Sequence, residues 1–387
     1  MPLTFQEYRP RKILDVHRHV DGPWFWTKYS AHPYIGCRSG CEFCYLRDGR
    51  YLGKRDPDTF DTLIQVKLNA VELLRRELFG LNHDVIACGD WQQPVEDRYR
   101  LSRGMLEVVH EANFPLFIVE RSPLLARDLD LLVAIKQRAW VGIAISFSNV
   151  DQKLKQAFEP RSPGIKRRLQ TMATLAQAGI LVGAALMPII PFADDDHTHL
   201  EEAVRATQEH GGSFVLAGGL TMAGAQAERT LVAARQFNAT LETQWREFYN
   251  WQEESKPNYS PSRGYAARLG LLVRELCARY GLQDRMPRYL QPGPLAINKR
   301  VAEKLFLKTY DLELAQAHAS RIWTYRKAAW TIEEWPQSIA ELFAARGEAG
   351  LQTLPEIGKN LAREIAQWLQ AEAALVTTNP NPHDPKI

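Results

Sequence analysis

From Tyr34 to about Phe248, short apolar runs alternate with amphipathic stretches. That alternation predicts strand-helix units built around a parallel sheet. Phe60, Leu63, Ile64, Leu68, Val71, Leu74 and Leu78 recur at helical spacing, with Asp58 or Thr59 as the N-cap,. Apolar strands are expected over 85–88, 116–119, 141–147, 180–186 and 214–216, and helices over 98–112, 124–135, 165–178 and 197–210. With Tyr34-Ile35 as the opening strand, six such units emerge. Residues 1–30, which include Trp24, Phe25 and Trp26, read as an irregular lead-in; His17 and His19 sit there and suit a strand edge or loop better than a ligand pair.

Beyond the alternating region, 220–320 holds amphipathic helices broken by Ser255-Lys-Pro-Asn-Tyr-Ser-Pro-Ser-Arg-Gly264, Met286-Pro287 and Gln291-Pro-Gly-Pro294. The run Leu354-Pro-Glu-Ile-Gly358-Lys-Asn-Leu-Ala-Arg363 fits a helix-hairpin-helix turn. Pro355 stops one helix, Gly358 is expected to supply unusual backbone angles, and a new helix starts at Lys359. Amide groups at such a turn form a nest for phosphate, with Lys359 and Arg363 adding charge. The organisation expected is a lead-in (1–30), a barrel domain (31–250), a helical extension (251–320), a helix-hairpin-helix domain (321–372) and a disordered tail (373–387).

Composition changes this picture little. At 387 residues the chain has room for one large α/β domain and a small one,. Its formal net charge of +3 is mild, so any basic surface must be local. One local excess runs from Arg285 to Trp330, with nine Lys or Arg against three acids. No run of about eighteen apolar residues exists, and the start lacks the basic-then-apolar order of a signal peptide,. A cytoplasmic protein without membrane contact is expected, and a clustered odd set of cysteines suits metal in a reducing compartment.

The chemistry concentrates in His32-Pro-Tyr-Ile-Gly-Cys37-Arg-Ser-Gly-Cys41-Glu-Phe-Cys44-Tyr45, which holds three of the five cysteines. Thiolates spaced this way, with Gly36 and Gly40 freeing the backbone, can close three sulfurs on one small face, which suits an iron–sulfur cluster better than zinc. A structural zinc site wants four ligands, and no His or Cys follows at finger-like spacing,. A fourth, open metal position can then bind a substrate or cofactor.

The spacing resembles the radical S-adenosylmethionine (SAM) superfamily. That resemblance implies a partial (β/α)6 barrel and a [4Fe-4S] cluster held by Cys37, Cys41 and Cys44. It also implies SAM chelated to the unique iron, and an electron donor such as flavodoxin or ferredoxin. Within the superfamily, residues 34–220 look like the spore photoproduct lyase group of DNA-repair-related proteins. The carriers are Gly36-Cys-Arg-Ser-Gly-Cys-Glu-Phe-Cys-Tyr45, Lys67-Leu-Asn-Ala70, Gly89-Asp90-Trp-Gln-Gln-Pro-Val-Glu96, Glu120-Arg121-Ser122 with Arg127-Asp128, Ser146-Phe-Ser148, Phe158-Glu-Pro-Arg161 and Met187-Pro188. The stretch from Tyr325 onward resembles the N-terminal module of X-family DNA polymerases, implying DNA held through its backbone.

The expected cofactor contacts lie at strand ends. Gly89 and Asp90 face the methionine ammonium, Arg121 its carboxylate, and Ser146 a ribose hydroxyl, with Met187 completing the set. Cys88 is expected either as a hydrogen-donating thiol, which the family's lyases carry near this place, or as a buried structural residue. Phe43 stands where the lyase proper has a tyrosine, while Tyr45 is kept and joins Cys88 as a catalytic candidate. Cys277 belongs to the core. The function expected is radical SAM chemistry on DNA base lesions. The alternatives are a radical enzyme acting on RNA, peptide or a small molecule, and a DNA-binding redox sensor that never cleaves SAM.

Overall fold

The computed structural model describes residues 3–20, 25–89, 91–252 and 257–378, with side chains to 373. It divides into two compact units, Met1–Pro287 and Arg288–Ile387.

The first unit contains ten strands: β1 (Thr4–Tyr8), β2 (Leu14–Val16), β3 (Tyr29–Ala31), β4 (Tyr34–Ile35), β5 (Leu63–Lys67), β6 (Ile86–Gly89), β7 (Leu116–Glu120), β8 (Val141–Ser146), β9 (Leu181–Ile189) and β10 (Val215–Gly219). Seven form one sheet in the order β10-β9-β8-β7-β6-β3-β2. Every pairing from β3 to β10 is parallel, and only β2 runs antiparallel to its neighbour. All six residues of β8 are buried, as expected of a parallel strand covered on both faces. Helices Leu101–Ala112, Leu129–Arg138, Ile165–Gln177 and His197–Glu209 connect successive strands. Met105, Leu106, Leu132, Met172, Leu175 and Val204 from these helices join the strand side chains in the main core.

The lead-in is more regular than its polar composition suggests, since it supplies β1, β2 and β3. β3, not Tyr34-Ile35, opens the series of six parallel strands. Tyr34–Ile35 instead pairs antiparallel with β5, in a three-stranded sheet ordered β1-β5-β4. The helical reading of 60–78 is also corrected, because Leu63–Lys67 is a strand and the helix covers only Ala70–Leu78. Ile64 and Val66 alternate with less buried neighbours, and strands on both sides satisfy the backbone. Period-2 burial of β-branched residues here outweighs the apparent helical spacing.

A second core lies beyond the ends of β9 and β10. Helices Gly224–Phe237 and Ala239–Phe248 pack Leu231, Leu241, Trp245 and Tyr249 against Phe43, Leu154 and Phe158. The Trp245 Nε1–H donates to the Pro191 carbonyl at 3.0 Å, and the Tyr249 hydroxyl to that of Leu220 at 2.7 Å. Both rings therefore bury their apolar area without stranding a polar atom.

The second unit is helical: Ala296–Leu314, Ala319–Glu334, Ile339–Leu351 and Lys359–Thr378. Val301, Leu305, Phe306, Ile332, Leu351, Ile357, Ile365 and Leu369 are buried there. Asn298 is buried and fully used. Its amide donates to the Trp335 and Gln337 carbonyls at 3.1 and 2.8 Å, and its oxygen accepts from the Ile339 amide at 3.0 Å. Leaving those groups unpaired would cost about 1–3 kcal/mol each.

Candidate active site

The cysteine loop follows β4 and is tied down at both ends. The Cys37 amide donates to the Phe60 carbonyl at 3.0 Å, and the Glu42 amide to the Phe158 carbonyl at 2.9 Å. Gly36 makes the first turn possible. It sits at φ +96°, and a Cβ there would stand 2.7 Å from the Phe60 carbonyl oxygen, so only glycine fits. Gln93, in the loop after β6, clamps the same turn: its amide donates to the Gly36 carbonyl at 3.0 Å and its oxygen accepts from the Arg38 amide at 3.1 Å.

Cys37 packs with Leu52 and Phe60, Cys41 with the core around Phe43 and Phe158, and Cys44 borders both groups. Cys37 and Cys41 are buried, while Cys44 is partly exposed. Among the described residues, no group of three or more His, Cys, Asp or Glu side chains is arranged to hold a single metal ion. Three thiols carried on one short loop are the donor type that an iron–sulfur cluster takes.

Cations face these sulfurs. Arg121, just past the end of β7, donates through Nη1 to Cys41 Sγ at 2.7 Å and pairs with Glu159 at 3.2 Å; its Nη2 donates to Ser146 Oγ at 3.3 Å. Arg47 is buried beside Cys44 and Cys41 and lies 4.9 Å from the centre of the Phe60 ring. Burial, then the neighbouring Arg229 charge, pulls its guanidinium below the ordinary value, while Cys44, Glu42 and Cys41 act the other way. A cluster bound by three thiolates is anionic, and two guanidinium groups beside the sulfurs match that charge.

Glu159 balances the arginines. It is buried and accepts from Arg168 Nη2 at 2.5 Å and from Ser162 Oγ at 3.0 Å, besides Arg121. Burial by itself raises its pKa, but the charges of Arg168 and Arg121 outweigh that and hold the carboxyl below the usual range. Arg168 is wholly buried and also donates to the Ser146 carbonyl at 3.0 Å. Glu159 and Arg168 thus fix the end of β8 against the cysteine loop. Glu120, ending β7, accepts from the amides of Gln92, Arg121 and Ser122 at 3.1, 2.9 and 3.1 Å.

A cavity of about 90 Å3 opens here, lined by Cys37, Arg38, Ser39, Gln92, Gln93, Pro94, Glu120, Ser122, Arg161 and Pro163. It sits past the C-terminal ends of β6 and β7, where parallel α/β sheets present their ligands.

Arg121, Ser146 and Cys41 therefore meet in one network. Gly89 ends β6 and its carbonyl lies 3.3 Å from His32 Nδ1. Asp90 lies outside the described residues. Met187 sits on β9, partly exposed. Cys88 is in the main core, and burial, together with the Glu120 charge, pushes its thiol well above the ordinary value, so it keeps its proton. Tyr45 is 48% exposed, its ring edge-on to Tyr51 at 5.3 Å. Sequence reasoning assigned no role to Gln93, Glu120, Glu159 or Arg161, although each lies in a motif that carries the resemblance. Arg47 and Arg168 gave no signal.

In the second unit, Lys359 and Arg363 are exposed on the first turns of Lys359–Thr378. Gly358 is corrected: it is Glu356 that takes the left-handed conformation, at φ 63°. Gly358 instead caps the helix, its carbonyl accepting from the Ala362 amide at 2.9 Å, with open space where a Cβ would stand.

Known proteins agree with this architecture. The chain is similar to a solved point mutant of spore photoproduct lyase, with a TM-score of 0.53 at 14% identity over 73% of this chain and 82% of that one. It is also similar to spore photoproduct lyase complexed with dinucleoside spore photoproduct, with a TM-score of 0.52 at 15% identity over 73% of this chain and 82% of that one. The fold is thus the partial (β/α)6 barrel of the radical SAM type, and residues 298–374 match the family described as helix-hairpin-helix domain. An uncharacterized protein of Mycobacterium tuberculosis is 27% identical over 263 residues, 66% of this chain and 77% of that protein. An uncharacterized protein of Acidianus two-tailed virus is 34% identical over 204 residues, 49% of this chain and 67% of that protein. The chain belongs to one family with that viral protein.

Proposed function

We propose that this protein is a radical SAM enzyme acting on base lesions in DNA. The observation that carries the reading is one loop carrying Cys37, Cys41 and Cys44, with Cys41 against Arg121 and Cys37 lining a cavity at strand ends, on the fold of spore photoproduct lyase. When bound, a [4Fe-4S] cluster and SAM supply, with one electron from a donor such as flavodoxin or ferredoxin, reductive cleavage to methionine and a hydrogen-abstracting 5′-deoxyadenosyl radical.

The chain's own residues do the rest. Cys37, Cys41 and Cys44 hold the cluster, and Arg47 and Arg121 offset its charge. Gly89 and Asp90 receive the methionine ammonium, Arg121 its carboxylate, and Ser146 the ribose, with Met187 along β9. Cys88 keeps a hydrogen on sulfur within the core below the site, and Tyr45 stands at the rim. Lys359 and Arg363 hold duplex phosphates without reading sequence, a grip that suits a base which must leave the stack before its hydrogens can be reached.

The test supplies the anaerobically reconstituted, reduced protein with SAM and ultraviolet-irradiated DNA deuterated on its bases. Deuterium is expected in 5′-deoxyadenosine. Cleavage of SAM that leaves 5′-deoxyadenosine free of deuterium, equally fast with and without irradiated DNA, would contradict a DNA substrate.

A further inference from the structure

The residues directly after the cysteine loop form a surface of which the chemistry above uses only Tyr45 and Arg47. The stretch Tyr45-Leu-Arg-Asp-Gly-Arg50-Tyr51-Leu-Gly-Lys-Arg55 interleaves aromatic and basic residues. It is built onto the last cysteine: the Arg47 amide donates to the Cys44 carbonyl at 3.1 Å and the Asp48 amide to that of Tyr45 at 3.0 Å. The rings of Tyr45 and Tyr51 meet edge-on at 5.3 Å. The Arg50 guanidinium lies 5.8 Å from the centre of the Tyr51 ring and 5.0 Å from that of Tyr259. Tyr259 arrives from a distant part of the chain, and its carbonyl accepts from the Met222 amide at 2.8 Å, just past β10.

These three rings are 48%, 47% and 43% exposed, whereas Trp91, Phe117 and Trp245 are buried. Half-exposed aromatics at one corner, gathered around an arginine, present flat apolar faces that a planar ligand can cover. Asp48 orients the arginine, accepting from its backbone amide at 2.8 Å and from its Nε at 3.2 Å. Aromatic faces joined to a guanidinium plane match an unpaired nucleobase and its flanking phosphate.

We infer that Tyr45, Arg50, Tyr51 and Tyr259 form a stacking platform for an unpaired base at the rim of the cysteine loop. Its partner is a single strand, or the flank of an extruded nucleotide. The inference rests on the nucleic-acid reading above, but its test needs no radical chemistry, so the two can fail separately.

The experiment titrates the full-length protein into a single-stranded oligonucleotide carrying 2-aminopurine, whose fluorescence falls when it stacks on an aromatic ring. The wild type is expected to bind and quench. Tyr51→Ala should weaken binding about tenfold or more and abolish most of the quench, whereas Tyr51→Phe, which keeps the ring, should retain both. Phe79→Ala removes a ring that is 91% exposed elsewhere and should change neither. Thermal melts of all variants show whether each remains folded; Arg50→Ala, at an exposed side chain, serves as a second probe and should also weaken binding. Equal affinity and quenching in Tyr51→Ala and Arg50→Ala, or a wild type that binds the oligonucleotide without quenching, would overturn the platform even if the enzyme repairs DNA. Failure to form deuterated 5′-deoxyadenosine, with the quench intact, would overturn the DNA-repair reading and leave the platform standing.

Discussion

Two buried carboxyls near the strand ends respond to pH in opposite senses. Glu159 is held below its ordinary range, so the stability it contributes is present above the unfolded pKa and is lost as pH falls through the folded one. Asp194 is the reverse: burial, opposed only in part by the Ile190 amide and the Asn149 side chain, pushes it up to about 8. Its contribution is therefore complete in acid and is lost as pH rises toward 8. Denaturant unfolding of the wild type and Asp194→Asn, compared between pH 5 and 8, should show the wild type losing up to about 1.4 kcal/mol per unit relative to the variant. Parallel profiles would mean the carboxyl ionises in the fold as it does in water. At this scale the sequence revealed what is covalently spaced. Cys37, Cys41 and Cys44 stand out because they fall within eight residues, whereas Arg168 reaches Glu159 and Ser146 only because a helix, a loop and the end of β8 converge. No periodicity marks a buried arginine.

At the scale of elements, the apolar runs from β6 to β10 were readable because parallel strands covered on both faces become nearly continuous in apolar residues. Leu63–Lys67 was not, since its partners β1 and β4 are short and its alternation blends into the helix after it. The hairpin before Lys359 was found from Pro355 and Gly358, but the strained position is Glu356; a left-handed non-glycine residue costs on the order of 1–2 kcal/mol. The functional consequence attaches to the helix that follows. Lys359→Ala should weaken duplex DNA binding to a similar degree for unrelated sequences and lower the slope of log affinity against log salt by about one. A loss confined to one sequence, or an unchanged slope, would remove Lys359 from the phosphate grip.

For the whole molecule, a net charge of +3 gives no general attraction to nucleic acid, so the binding proposed above would have to come from local groups such as Lys359, Arg363 and the aromatic–arginine corner beside the cysteine loop. Among the described residues no helix is long and apolar enough to cross a membrane. The barrel and the helical unit were both legible, the first from six alternating units and the second from one turn. The junction between them was not, because Met286-Pro287 read as one of several breaks between similar amphipathic helices rather than as the division at Pro287 and Arg288. Everything proposed depends on what the three thiols bind. Metal analysis of protein purified and reconstituted without oxygen tests this most directly. About four irons with matching sulfide per chain are expected in the wild type, and a marked loss of both in Cys41→Ala. Zinc in place of iron, or iron that Cys41→Ala leaves undiminished, would contradict it.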